Sequence, residues 1–133
     1  MECKFTIPGR LDGLNTIIDA NRSSKYKGAN IKAENDAICK AYILKSLKGV
    51  KILRPVIVTF DWYEKDRRRD LDNIYSGKKF ILDALVKCGV LQNDTQKWVI
   101  GLVDRIHTDK RNPRIEVTII EAGEADGRMD KAT

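Results

Sequence analysis

The run Val56-Ile57-Val58-Thr59-Phe60-Asp61-Trp62-Tyr63 constrains this chain most. β-Branched and aromatic residues at this density suit a pleated, buried surface, so the run reads as a central strand. Pro55 cannot donate to a ladder and fits only at the beginning of that strand. A central strand needs neighbours on both sides and a layer to cover it. The rest of the 133-residue chain must supply them. A hydrophobic content of 42% is enough for one core and not for two, so one domain is expected.

The flanking segments carry their own periods. Lys4-Phe5-Thr6-Ile7 alternates and stops at Pro8-Gly9, which predicts a short edge strand. Leu11, Leu14, Ile17 and Ile18 recur at helical spacing and predict a short helix over 12–21. Residues 21–32 read as a flexible loop, with Ser23, Ser24, Gly28 and Asn30 among them. The spacing predicts a helix over 34–48, with Ala37, Ile38, Ala41, Tyr42, Leu44 and Leu47 inward and Gly49 as its stop. Another helix is expected over 74–88, turning Ile74, Ile81, Leu82, Leu85 and Val86 inward. Gly77 inside it costs about 1 kcal/mol relative to alanine, which points to close packing or to a ligand passing near. Strands follow over 98–106 and 114–121, joined through a basic turn at 109–113 as a closing hairpin.

The order β-α-α-β-α-β-β implies an α+β fold: one small mixed sheet of about four strands, flanked by helices. The domain would span 1–121. Residues 122–133 have little apolar content and are expected to be a disordered tail.

The central strand delivers the chain to Arg67-Arg68-Arg69-Asp70-Leu71-Asp72-Asn73. If Asp70 and Asp72 leave a strand end, the i, i+2 spacing turns both carboxylates to one side. Like charges held together repel, and a hard divalent cation such as Mg²⁺ removes that cost. The guanidiniums beside them offer planar donor forks that suit phosphate. A plainer role is a helix cap from Asp72 or Asn73, which accounts for one polar residue but not for two aspartates behind three arginines.

Asp94 lies in a later turn. It either converges on Asp70 and Asp72 or serves as a turn former or N-cap. Lys79 is i+7 from Asp72, on the same helical face, where it could stabilise developing negative charge; otherwise it pairs with Asp83 at i+4. Lys78 is its competitor. Arg22, Lys25 and Lys27 in the 21–32 stretch have no acid among them and hold Tyr26 in their midst. They read as an arm for backbone phosphates or as a solvated loop.

Charge and composition narrow the partners. A net charge of +6 fits nucleic acid. Cys3, Cys39 and Cys88 have no CxxC spacing and read as reduced thiols of a cytoplasmic protein. The lone His107 forms no familiar zinc pattern with them. No apolar run approaches the length of a membrane span, and no membrane partner is expected.

With these residues in view, the chain resembles the RusA-type Holliday junction resolvases, endodeoxyribonucleases of bacteria and their phages. The resemblance rests on Arg-Arg-Asp-Leu-Asp-Asn at 68–73, on Leu82-Asp83-Ala84-Leu85 followed by Gly89, and on Asn93-Asp94-Thr95-Gln96. It implies Asp70, Asp72 and Asp94 as catalytic, metal-holding carboxylates. It also implies Lys79 as the catalytic lysine, four residues before the aspartate of the D-A-L helix. Asn93 stands where the family often has a second aspartate, and the interval from Asn73 to Lys79 is longer than in the shortest members, which keeps Lys78 open. Implied too are a homodimer, a four-way DNA junction as substrate and Mg²⁺ as cofactor, with Mn²⁺ able to substitute. Arg67, Arg68, Arg69, Arg22, Lys25, Lys27 and Lys78 would meet DNA. Two other readings stand beside this one: a DNA- or RNA-binding module without catalysis, and a metal-dependent nuclease acting on flaps or other branched DNA.

Overall fold

The computed structural model describes residues 1–122. Of the tail expected over 122–133, Ala122 is buried and its N–H donates to the Pro55 carbonyl at 2.8 Å, and residues 123–133 lie outside the described residues. Four strands form one sheet: β1 (Glu2–Pro8), β2 (Val56–Glu64), β3 (Val99–Thr108) and β4 (Arg114–Glu121). Their order is β1-β4-β2-β3, with β2 parallel to β3 and β4 antiparallel to both β2 and β1. The sheet is therefore mixed, the fold is α+β, β2 is interior, and β1 lies at an edge.

The closing hairpin is not formed. β4 inserts between β2 and β1, while β3 stays at the opposite edge. Side-chain rows explain the order. Ile115, Val117 and Ile119 of β4 are buried, which an interior position provides. Ile100, Leu102 and Ile106 of β3 remain 43–46% exposed, as an edge allows.

Helices α1 (Leu14–Ser23), α2 (Lys25–Leu47), α3 (Leu71–Tyr75) and α4 (Lys78–Lys87) complete the described chain. The inward sheet rows, Val56-Val58-Phe60-Trp62 and Ile115-Val117-Ile119, join Cys39 and Ile43 of α2 and Ile81 and Leu85 of α4 in one core. The alternate row of β2, Ile57, Thr59 and Tyr63, is only partly buried. Helices thus cover one sheet face rather than flank both. Each fully buried aliphatic or aromatic side chain contributes about 1.5–3 kcal/mol.

The expected loop over 21–32 is helix. Only Ser24 interrupts it, extended at φ −171° and capping α2 by accepting a hydrogen bond from the Lys27 N–H at 3.0 Å. Gly28 lets the corner close, because a Cβ there would lie 1.7 Å from Asn21 Oδ1. Serine and glycine mark a tight helix–helix corner here, where composition alone suggests a loop.

The buried stripe of α2 also differs from the expected one. Asn35, Cys39, Ile43 and Leu47 face in, while Ala37, Ile38, Ala41 and Leu44 are exposed. Asn35 anchors that seam: its Nδ2 donates to Asp12 Oδ2 at 2.6 Å and to the Ile31 carbonyl at 2.7 Å, and its Oδ1 accepts from the Asp12 N–H at 3.0 Å. A polar residue on the inner face hides the stripe from a hydrophobicity pattern. The helix expected over 74–88 is broken at Ser76-Gly77 into α3 and α4. Gly77 packs against Trp62 and Leu11, whose atoms a Cβ would meet at 3.2–3.3 Å, so close packing accounts for it.

Candidate active site

β2 ends at Glu64, whose carboxylate is buried beneath the loop that follows. Arg69 folds back over that loop, and its Nη1 donates to both Glu64 oxygens at 3.1 and 3.2 Å. The pair holds the loop ends together. Arg69 therefore points inward and its acid partner is Glu64; it pairs with neither Asp70 nor Asp72, whereas Arg67 and Arg68 are exposed. Arg68 is solvent-facing, with Asp66 at 3.8 Å, and Asp66 also accepts from the Arg68 N–H at 3.0 Å.

The N-cap of α3 is Asp70, where Asp72 or Asn73 was expected. Its carbonyl accepts from the Ile74 N–H at 3.1 Å, while its side chain makes no capping bond. Asp72 occupies the first turn. The relation between the two aspartates is set by a helix start, not by strand pleat. Asn73 docks α1: its Oδ1 accepts from the Asn15 N–H at 3.1 Å, and Gly13 leaves room for it.

Arg69 and Asn73 thus build the turn, and Asp70 and Asp72 are left over. Both are exposed, and among the described residues neither carboxylate has a hydrogen-bond or ion-pair partner. Arg67 likewise has no acid partner among them. Two free carboxylates near one free guanidinium leave charge that a bound ion or phosphate could neutralise. Asp70 and Arg67 border a cleft of about 700 Å³, lined also by Ile106 and His107 at the end of β3.

The two lysines separate cleanly. Lys78 is ion-paired with Asp104 of β3, and the other Asp104 oxygen accepts from Trp62 Nε1 at 2.9 Å. Lys78 also sits over the Tyr75 ring, so it is engaged in packing rather than free for DNA. Lys79 is exposed. Its Nζ lies 3.0 Å from Asp83 and 3.7 Å from Asp94. The hydrogen bond to Asp83, and then the nearby Asp94, raise its pKa and keep it charged. Asp94 sits in a turn shaped by Asn93, whose Oδ1 accepts from the Asp94 N–H at 2.7 Å.

Arg22, Lys25 and Lys27 stand on the α1–α2 corner, exposed and without acid partners among the described residues. The groove below that corner, lined by Asn21, Gly28, Lys32, Phe80 and Lys79, joins the basic corner to the exposed lysine.

Asp61 was legible only as a strand residue. It is buried, and it accepts from Arg105 Nε at 2.8 Å and Nη2 at 2.9 Å, with His107 Nε2 at 2.8 Å. Burial acts to raise its pKa, but the Arg105 and His107 hydrogen bonds outweigh it and the carboxyl lies below its ordinary value. An acid inside a mostly apolar strand, and the i, i+2 spacing of Arg105 and His107 on another, were the available signal.

Carboxylate oxygens suit a hard divalent ion. However, among the described residues no group of three or more His, Cys, Asp or Glu side chains is clustered tightly enough to hold one. The donors that fit are the free pair, Asp70 and Asp72, while Asp94 is engaged by Lys79. No helix of the described residues is long and apolar enough to cross a membrane.

A family model described as Endodeoxyribonuclease RusA matches residues 51–120, a little over half of the chain, from just before β2 to the end of β4. No curated protein matches.

Proposed function

The chain belongs to the RusA endodeoxyribonuclease family, and from that premise we propose that it resolves four-way DNA junctions by divalent-metal-dependent hydrolysis inside the cell. The observation that carries this reading is the free pair Asp70 and Asp72, beside the free Arg67, within the matched span.

Asp70 and Asp72 would hold the ion, with Mg²⁺ the expected cofactor and Mn²⁺ a substitute. When bound, such an ion activates water and offsets charge on the scissile phosphate. The chain's own residues do the rest. Arg67 and Arg68 orient the phosphodiester through charge-assisted hydrogen bonds. The Glu64–Arg69 pair fixes the loop that carries them. Lys79, kept protonated by Asp83, donates toward the leaving oxygen. Asp94 lies 3.7 Å from that ammonium and helps to hold it in place. The basic α1–α2 corner takes backbone phosphates further along the same strand.

A second copy is part of the reading. The outer edge of β3 pairs with no strand among the described residues, and Ile100, Leu102, Val103 and Ile106 are 42–46% exposed along it. Long apolar edges are normally covered. Pairing of β3 with its two-fold mate covers this one and gives two sites for two strands of like polarity.

The test is a synthetic four-way junction incubated with the protein and Mg²⁺. Symmetric paired nicks that vanish in Asp72→Asn support the reading. Junction binding without cleavage in Mg²⁺ or Mn²⁺ would replace it with a binding module, and faster cutting of flaps than junctions would replace the substrate.

A further inference from the structure

The turn between β3 and β4 carries Lys110 and Arg111, residues that no part of the site above uses. Asp109 shapes this turn. Its Oδ1 accepts from the Arg111 and Asn112 N–H groups at 3.2 Å, and its Oδ2 accepts from Arg114 Nη1 at 2.9 Å. Every charge that Asp109 brings is thereby spent inside the turn. Lys110 and Arg111 are left exposed, with no acid partner among the described residues.

The turn is also tied to the arginine loop. The Asp109 N–H donates to the Glu64 carbonyl at 2.7 Å, at the point where that loop begins. Lys110 then lines a shallow hollow together with Lys65, Asp66 and Arg68. Segments more than forty residues apart in sequence thus present one surface. On it Lys65 and Lys110, with Arg111 next in the turn, have no acid partner among the described residues, and Arg68 has only Asp66 at 3.8 Å. Concentrated cations repel one another and raise the local potential, which a polyanion lowers.

We infer that the β3–β4 turn is a second DNA-backbone contact, a rigid prong that grips phosphates beside those met by Arg67 and Arg68. Its ligand is the phosphodiester backbone, read by charge and not by base. Asp109 serves it by fixing the turn and Glu64 by tying it to the loop. This inference rests on the proposed nuclease reading for its ligand, and on turn geometry for its residues.

The experiment compares the full-length chain with the double variant Lys110→Ala/Arg111→Ala. The probes are a synthetic four-way junction and a linear duplex of matched sequence, followed by fluorescence anisotropy across a salt series. Each lost phosphate contact lowers the slope of log K against log salt by about 0.9, so the double variant should lose about 2 in slope and on the order of tenfold in affinity near 0.1 M salt. A control, Lys48→Ala/Lys51→Ala, removes equal charge near the start of β2, at the other end of that strand, and should leave the slope unchanged. A double variant with the wild-type slope overturns the inference, as does a control that loses as much slope. If the wild-type chain cuts the junction while the variant slope is unaltered, only the prong is wrong. If the wild-type chain binds no DNA, the nuclease reading falls and takes the prong with it.

Discussion

Arg69 Nη1 lies 3.1 and 3.2 Å from the two carboxylate oxygens of Glu64, with both side chains largely withdrawn from solvent. Two of the three consecutive guanidiniums face outward because the third faces in. Removing Arg69 leaves Glu64 as a buried, uncompensated charge. Arg69→Ala should therefore cost about 3 kcal/mol of stability, the scale for breaking a buried pair from one side. The check is urea denaturation. Arg67→Ala should barely move the midpoint, and an Arg69→Ala midpoint equal to wild type would show that the pair does not hold the loop.

Asp70→Asn and Asp72→Asn should abolish cutting while leaving junction binding equal or tighter, because each removes negative charge that faces phosphate. Neither carboxylate has a partner among the described residues, so neither change disturbs a packed contact. Anisotropy in Ca²⁺, alongside a cleavage assay in Mg²⁺, separates the two effects. Loss of binding by a variant that keeps its far-ultraviolet dichroism would remove that residue from the metal pair.

Lys79→Ala should slow cleavage by about a hundredfold at unchanged junction affinity, the scale for a positioned proton donor. Lys78→Ala should instead destabilise the fold, since it strands Asp104 beneath Trp62 Nε1. Single-turnover rates and thermal midpoints of the two variants give opposite patterns. The reverse pattern would exchange their roles.

Stability should decline as pH falls below about 4, the ordinary range for an unfolded carboxyl. Asp61 has a folded-state pKa below its ordinary value, with its burial more than offset by Arg105 and His107. Its contribution is present above the unfolded pKa and is lost as pH falls through the folded one. Asp109, whose carboxyl is lowered chiefly by Arg114, adds in the same direction. Asp61→Asn should be less stable at pH 7 and lose less between pH 4 and acid, as urea midpoints across that range would record. An unchanged acid slope would mean that the Arg105 and His107 contacts carry no net stabilisation.

Leu102→Lys places a charge on the exposed row of β3 without touching the core or the arginine loop. It should weaken self-association, read as a shift toward monomer in sedimentation equilibrium, with the thermal midpoint of the monomer little changed. A dimer of wild-type strength would move the subunit contact away from this edge.

Much of this architecture is local and can be read residue by residue. Seven β-branched and aromatic residues place β2, alternation places β4, and the apolar spacing around Ile81 and Leu85 places α4. The same reading misses the inner face of α2, because Asn35 is polar and satisfied by Asp12 across the helix corner. It misses the α1–α2 corner because Ser24 and Gly28 suit a cap and a close crossing as well as they suit a loop.

The sequence by itself determined the four strands and the helical runs around Ile43 and Ile81, and it put two aspartates behind three arginines. Those are properties of neighbours along the backbone, where side-chain period and residue type act directly. Only the tertiary structure decided that Arg69 turns to Glu64, that Lys78 goes to Asp104 and Lys79 to Asp94, and that β4 rather than β3 lies beside β2's inner flank. Each of those outcomes depends on which distant group arrives within hydrogen-bonding reach, and an ionic side chain has no preference for a partner until folding brings one to it.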